Sequence, residues 1–174
     1  MQDHLTEFTG YYEQHKGAIF NYIFYRVGFN RNTAEDLTSE IFLKAFEHLD
    51  SYDRNRPFKT WIFTIAHNHL VNFFAAKKYV LPLDEAREVT KNEESTGDEL
   101  DHKLIVSTLL ELADQLPESQ RELLIMRYIN DLSNSEIAAV TGKAEGAVRT
   151  ALSRAIEGLR NAYNTHLSKQ QQRP

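Results

Sequence analysis

Cysteine is absent from the 174 residues, which removes thiolate metal sites, disulfide frameworks and cysteine nucleophiles together. Proline (4) and glycine (7) are too few for a collagen-like or low-complexity chain, and 41% hydrophobic residues are too many for a disordered one. No apolar run approaches the roughly 18 residues of a membrane span. The opening stretch MQDHLTEFTG lacks the basic-then-apolar order of a signal peptide, so a cytoplasmic location is expected. Period-two alternation is also missing; apolar residues recur at three and four, which predicts an all-α chain. No H-E-x-x-H, Walker A, G-x-S-x-G or Rossmann glycine motif occurs. His67-Asn68-His69 spells a nuclease-like triplet, but residues two apart on a helix point about 200° apart and cannot share a metal. The expectation is therefore a binding protein with no catalytic residue, no cofactor and no metal.

What the chain does contain is unevenly spread. Its net charge of −5 would ordinarily disfavour nucleic acid. By segment, however, residues 1–80 hold 9 acids and 9 bases, residues 81–103 hold 8 and 3, and residues 104–174 hold 8 and 8. All of the net charge thus lies in the middle. Of the 19 Phe, Tyr and Trp, 17 precede residue 81. These shifts predict two small helical domains, 1–80 and 98–174, joined by a polar, flexible acidic linker over 81–97.

In the first domain a helix is expected from Glu7 to Val27, then a break at Gly28-Phe29-Asn30. A second helix is expected from Thr33, capped by the Thr33/Asp36 spacing, with Leu37, Ile41, Ala45 and Leu49 as its buried stripe. Its other face carries Glu35, Asp36, Ser39, Glu40 and Glu47 beside Leu43. A third helix is expected from Thr60 to Lys78. Residues 35–53 hold six acids and one Lys, whereas 54–80 hold five bases and no acid, so one domain presents two surfaces of opposite sign. The basic one interleaves Arg54, Arg56, Lys59, Lys77 and Lys78 with Tyr52, Phe58, Trp61, Phe63, Phe73 and Phe74. That mixture suits a surface on which unpaired bases stack while cations hold phosphates, with most of the rings still serving as core.

The second domain is expected to open with a helix over 98–115, stopped near Pro117, followed by one from Glu118 to Ile129. A capping box at Ser133/Glu136 then opens a short helix that Thr141-Gly142 closes. About four residues later a longer helix places Val148, Leu152, Ala155 and Leu159 on one stripe and Arg149, Thr150, Ser153 and Arg154 away from it. Short helix, glycine turn and long helix with a basic outer face make a helix-turn-helix, whose second helix can enter a major groove.

Two separate blocks of residues carry a specific resemblance. Ala34-Glu35-Asp36-Leu37, Glu40-Ile41-Phe42-Leu43-Lys44-Ala45-Phe46, Leu49-Asp50-Ser51-Tyr52-Asp53, Arg56-Pro57-Phe58-Lys59-Thr60-Trp61-Ile62 and Ile65-Ala66-His67-Asn68 resemble region two of extracytoplasmic-function sigma factors. Leu116-Pro117-Glu118, Leu132-Ser133, Glu136-Ile137-Ala138 and Glu145-Gly146-Ala147-Val148-Arg149 resemble their region four. The resemblance implies a dissociable initiation subunit of bacterial RNA polymerase whose first domain recognises and melts the minus-ten element. The second would read the minus-thirty-five element as duplex.

By position, it assigns Tyr52, Arg54, Arg56, Phe58, Lys59, Trp61, Asn68, Lys77 and Lys78 to minus-ten DNA. Arg149, Thr150, Ser153, Arg154 and Lys143 go to minus-thirty-five DNA, and Asp36, Ser39, Glu40, Leu43 and Glu47 to the β′ clamp helices of core polymerase. Lys143 stands where many relatives have an aliphatic residue, and Ala151 where they commonly have a base. The partners implied are core polymerase (β′ and β subunits), promoter DNA and an anti-sigma factor. The competing class is a stand-alone helix-turn-helix regulator, which explains the second domain but not the two-signed surface of the first.

Overall fold

The computed structural model describes residues 2–80, 108, 112, 113 and 115–171. Three helices form the first lobe: α1 (Gln2–Arg26), α2 (Arg31–Glu47) and α3 (Phe58–Val80), with a 3-10 turn at Leu49–Ser51. The second lobe contains α4 (Glu118–Leu124), which runs on into a π-helical turn (Ile125–Ile129), then α5 (Asn134–Thr141) and α6 (Glu145–Gln171). No strand occurs among the described residues. The expected linker and most of the helix expected over 98–115 lie outside them.

Local chemistry explains most of the boundaries. Between α1 and α2 the chain reverses through Gly28 (φ 69°) and Phe29 (φ 65°). A left-handed Phe costs about 1–2 kcal/mol, and its ring recovers contact edge-on against Phe24 at 5.4 Å and Tyr25 at 5.7 Å. The Thr33/Asp36 capping box does not form. Asn30 is the N-cap instead, its side-chain oxygen accepting from the Thr33 amide at 2.9 Å, so α2 starts two residues earlier than expected. Asn in extended conformation is an equally good cap and lies nearer the turn. Likewise α3 starts at Phe58, directly after Pro57, whose carbonyl accepts from the Trp61 amide.

The stripe Leu37, Ile41, Ala45 and Leu49 is buried, as are Ile62, Phe63, Ala66 and Leu70 of α3 and Ile19, Tyr22 and Ile23 of α1. In the second lobe Leu123, Ile125, Met126, Leu132, Ile137, Val148 and Ala155 are buried to 1% exposure or less. All of these belong to one contiguous cluster. The two lobes are therefore docked: α3 lies against α5, and α1 lies against the π-helical turn.

Candidate nucleic-acid interface

The helix-turn-helix is built as its residues dictate. Ser133 accepts from the Glu136 amide, and the Glu136 carboxylate accepts from the Ser133 amide at 2.7 Å, satisfying two donors that would otherwise be orphaned. These bonds hold the Glu136 carboxyl below its ordinary pKa although burial pushes the other way. At the far end Gly142 sits at φ 69°, and the amides of Gly142 and Lys143 both reach the Ala138 carbonyl. The turn thus aims α6 away from α5. Val148, Leu152 and Ala155 face the core, while Arg149, Thr150, Ser153 and Arg154 are all exposed on the opposite side. The Thr150 hydroxyl donates to its own helix at the Gly146 carbonyl, 3.0 Å away. Lys143 is exposed in the turn. An exposed helix face with cations and short hydroxyls, and no acid from Gly146 to Ile156, can lie in a major groove.

The first lobe is less open than its sequence suggests. Tyr52 and Phe58 are buried: the Tyr52 hydroxyl donates to the Arg56 carbonyl at 2.6 Å. Phe58 stacks on Tyr11 at 4.0 Å and lies near His15 at 5.3 Å. Both rings brace the 52–58 loop, so neither offers a free face to a base. Burial against this stack, with Lys59 nearby, lowers the pKa of His15. Trp61 is half-buried beside Tyr52 at 5.0 Å, and Asn68 is exposed.

The cations differ in how committed they are. Arg54 is held by Glu7 through two bonds of 3.0 and 2.8 Å, Arg56 is 81% exposed with Asp53 3.7 Å away, and Lys77 is exposed. Lys59 donates to the Asp131 carbonyl of the second lobe at 3.0 Å. The Lys78 side chain lies outside the described residues.

On α2, Asp36, Ser39, Glu40, Leu43 and Glu47 all face solvent. Leu43 is 59% exposed, and Phe46, which the sequence did not single out, is 42% exposed beside it. Two large apolar side chains among carboxylates make this an exposed amphipathic face, a composition suited to protein contact. Glu40 accepts from His69 Nε2 at 2.8 Å while Lys44 donates to His69 Nδ1 at 2.7 Å. An ammonium can only donate, so Nδ1 is the acceptor and Nε2 carries the proton. His67 points elsewhere, to Glu122, so the two histidines serve different carboxylates.

The Glu122 cluster had no sequence signal. Its Oε1 receives the Tyr22 hydroxyl at 2.5 Å, His67 Nδ1 at 2.7 Å and Arg26 Nη1. Arg26 also donates from Nη2 to Glu118 at 3.0 Å. Burial pushes the Glu122 carboxyl up, but His67, Arg26 and Tyr22 outweigh it and bring its pKa down to about 2. Burial and the neighbouring Glu122 raise Tyr22 well above its ordinary value, so the phenol keeps the proton it donates.

The family model for Sigma-70 region 2 matches residues 11–79, and that for Sigma-70 region 4 matches residues 107–159. The ECF RNA polymerase sigma factor BldN of Streptomyces coelicolor is 35% identical over 151 residues, covering 85% of this chain and 57% of the relative. The chain therefore spans somewhat over half of BldN. The ECF RNA polymerase sigma factor SigW of Bacillus subtilis is 33% identical over 148 residues, 78% of each chain. In fold, the sigma factor RpoE of Bartonella quintana, solved in complex with the anti-sigma factor NepR, superposes with a TM-score of 0.74. Its sequence identity is 21%, over 91% of this chain and 97% of that one.

Proposed function

Since the chain belongs to the ECF sigma factors of bacterial RNA polymerase, we propose that it acts in the cytoplasm as a promoter-specificity subunit, by binding rather than by catalysis. The observation that carries this reading is that a complete, capped helix-turn-helix with an acid-free outer face shares one chain with a region-two lobe bearing opposite-signed surfaces. A stand-alone regulator needs only the first of these. In the proposed division, residues 98–174 place Arg149, Thr150, Ser153, Arg154 and Lys143 against the minus-thirty-five duplex. Residues 1–80 bring Arg56, Lys59, Trp61, Asn68, Lys77 and Lys78 to the melted minus-ten strand. Tyr52, Phe58 and the Glu7-held Arg54 shape the loop that receives it.

Leu43 and Phe46, framed by Asp36, Ser39, Glu40 and Glu47, dock on the β′ clamp helices of core polymerase. An anti-sigma factor is the corresponding negative partner, by analogy with the Bartonella quintana protein. Run-off transcription with core polymerase and a genomic promoter library tests the reading: defined start sites that vanish without the chain support it. Retention of specific promoter binding by the chain alone, with no effect on core polymerase, would favour the stand-alone regulator.

A further inference from the structure

One row of α1 faces the 52–58 loop. Glu7, Tyr11 and His15 follow one another at four-residue spacing, which lines their side chains along a single helix face. Each touches the loop or its exit into α3. Glu7 takes Arg54 through two parallel bonds, Nε to Oε1 at 3.0 Å and Nη2 to Oε2 at 2.8 Å, a geometry that fixes orientation as well as distance. Tyr11 stacks on Phe58 with centroids 4.0 Å apart and planes 5° apart, and meets Tyr52 edge-on at 6.0 Å. Its hydroxyl donates to Glu7 at 3.2 Å, so the row is bonded within itself. His15 lays a second ring beside Phe58 at 5.3 Å. Both ends of the loop and its middle are thus fastened to the same helix.

The loop is also bonded within itself. The Arg56 amide donates to the Asp53 carbonyl at 2.9 Å and closes a turn, while the Asp53 carboxylate accepts from the Asn55 amide at 2.9 Å and from its side chain at 3.0 Å. Such a loop shifts as a unit, carrying its exposed members Asp53, Asn55 and Arg56 with it. Groups that recognise a ligand must be held to within about 0.5 Å of their working positions. We propose that Glu7, Tyr11 and His15 are positioning residues for minus-ten reading: α1 sets the place of the 52–58 loop, and through it the base that the loop prefers. The proposal deepens the sigma-factor reading and rests on it for the meaning of the loop. The three residues touch no DNA themselves, and Arg54 serves Glu7 rather than a phosphate.

A charge exchange separates positioning from phosphate contact. Glu7→Arg sets two cations against each other, Arg54→Glu sets two anions, and the double exchange restores the pair with its ends reversed. An Arg54 that bound phosphate would stay lost in the double variant. Tyr11→Phe keeps the stack on Phe58 and drops the bond to Glu7, whereas Tyr11→Leu removes the ring. Each chain is assembled with core polymerase on a promoter library randomised in the minus-ten element, and sequencing of the transcribed templates gives the base preference at every position. Both single exchanges and Tyr11→Leu are expected to change that preference by about two- to fivefold, the range that one partly exposed bidentate pair or one ring contact commands. The double exchange and Tyr11→Phe are expected to return the parent's preference. A second library randomised in the minus-thirty-five element should give the parent's preference in every variant, because that element is assigned to the other lobe. Trp61, the one tryptophan of the chain, lies 5.0 Å from Tyr52 and 5.3 Å from Phe58 and reports the loop in the free protein. Its emission should move to longer wavelength in the single exchanges and return in the double exchange.

A minus-ten preference untouched by the single exchanges overturns the proposal and leaves the sigma-factor reading in place. So does a preference that the double exchange fails to restore, or an equal loss of output from every template, which is what simple loss of folded protein produces. An unaltered chain that yields no promoter-dependent starts overturns the sigma-factor reading and, with it, the claim about base preference. The seating of the loop is judged separately by Trp61, and emission that ignores the exchanges overturns it.

Discussion

One carboxylate oxygen with three donors is an unusual burden for a side chain, and the physics of Glu122 follows from it. Its folded pKa of about 2 lies below the ordinary 4.5, so its contribution to stability is complete above pH 4.5 and is lost as pH falls toward 2. The difference corresponds to about 3 kcal/mol. Glu122→Gln is therefore expected to lower stability by about that much at pH 7, and the gap between variant and parent should close as pH drops below 4.5. Chemical denaturation over a pH series measures this; a pH-independent gap would contradict it. Removing the carboxylate outright strands the buried Arg26, and loss of one partner from a buried ionic cluster typically costs about 3–5 kcal/mol. At the recognition helix the stakes are different. Arg149→Ala and Arg154→Ala should each cost about 1–3 kcal/mol of promoter binding if the side chain reads a base. A promoter-independent loss measured across variant promoters would assign the residue to phosphate contact.

Among the elements, those whose signals are local were legible in the sequence. Ser133/Glu136, Gly142 and the stripe of Val148, Leu152 and Ala155 fix α5, the turn and α6 within a few residues of one another, and the structure has them as the sequence implies. The start of α2 was missed because two capping chemistries overlapped, and Asn30 won over Thr33. At the 52–58 loop the sequence leaves open which rings are core. Alternating aromatics and cations look alike whether the rings face bases or face α1, and only Tyr11 stacking on Phe58 decides the matter. Ser133→Ala should destabilise the second lobe by about 1 kcal/mol through loss of the N-cap, with α5 and the turn becoming the first amides to exchange in a hydrogen-exchange experiment. On α2, Leu43→Asp should abolish co-purification with core polymerase while leaving the helical circular-dichroism signal intact, because Leu43 is 59% exposed.

For the whole molecule, balanced lobes and a strongly acidic middle segment give little unspecific attraction to DNA. The docking of the second lobe on α3 removes Lys59 from what attraction remains. None of that docking could be read from the sequence: Tyr22 and Glu122 are a hundred positions apart. Glu122 on α4 looks like any surface acid of an amphipathic helix until its neighbours are known. On the proposed function, promoter opening belongs to the chain and core polymerase together and to neither alone. It is tested most directly with a promoter duplex carrying a fluorescent base analogue in the minus-ten element, whose emission rises on unstacking. A rise is expected only when chain and core polymerase are both present. A rise with the chain alone, or none with the assembled holoenzyme on a promoter it transcribes, would contradict it.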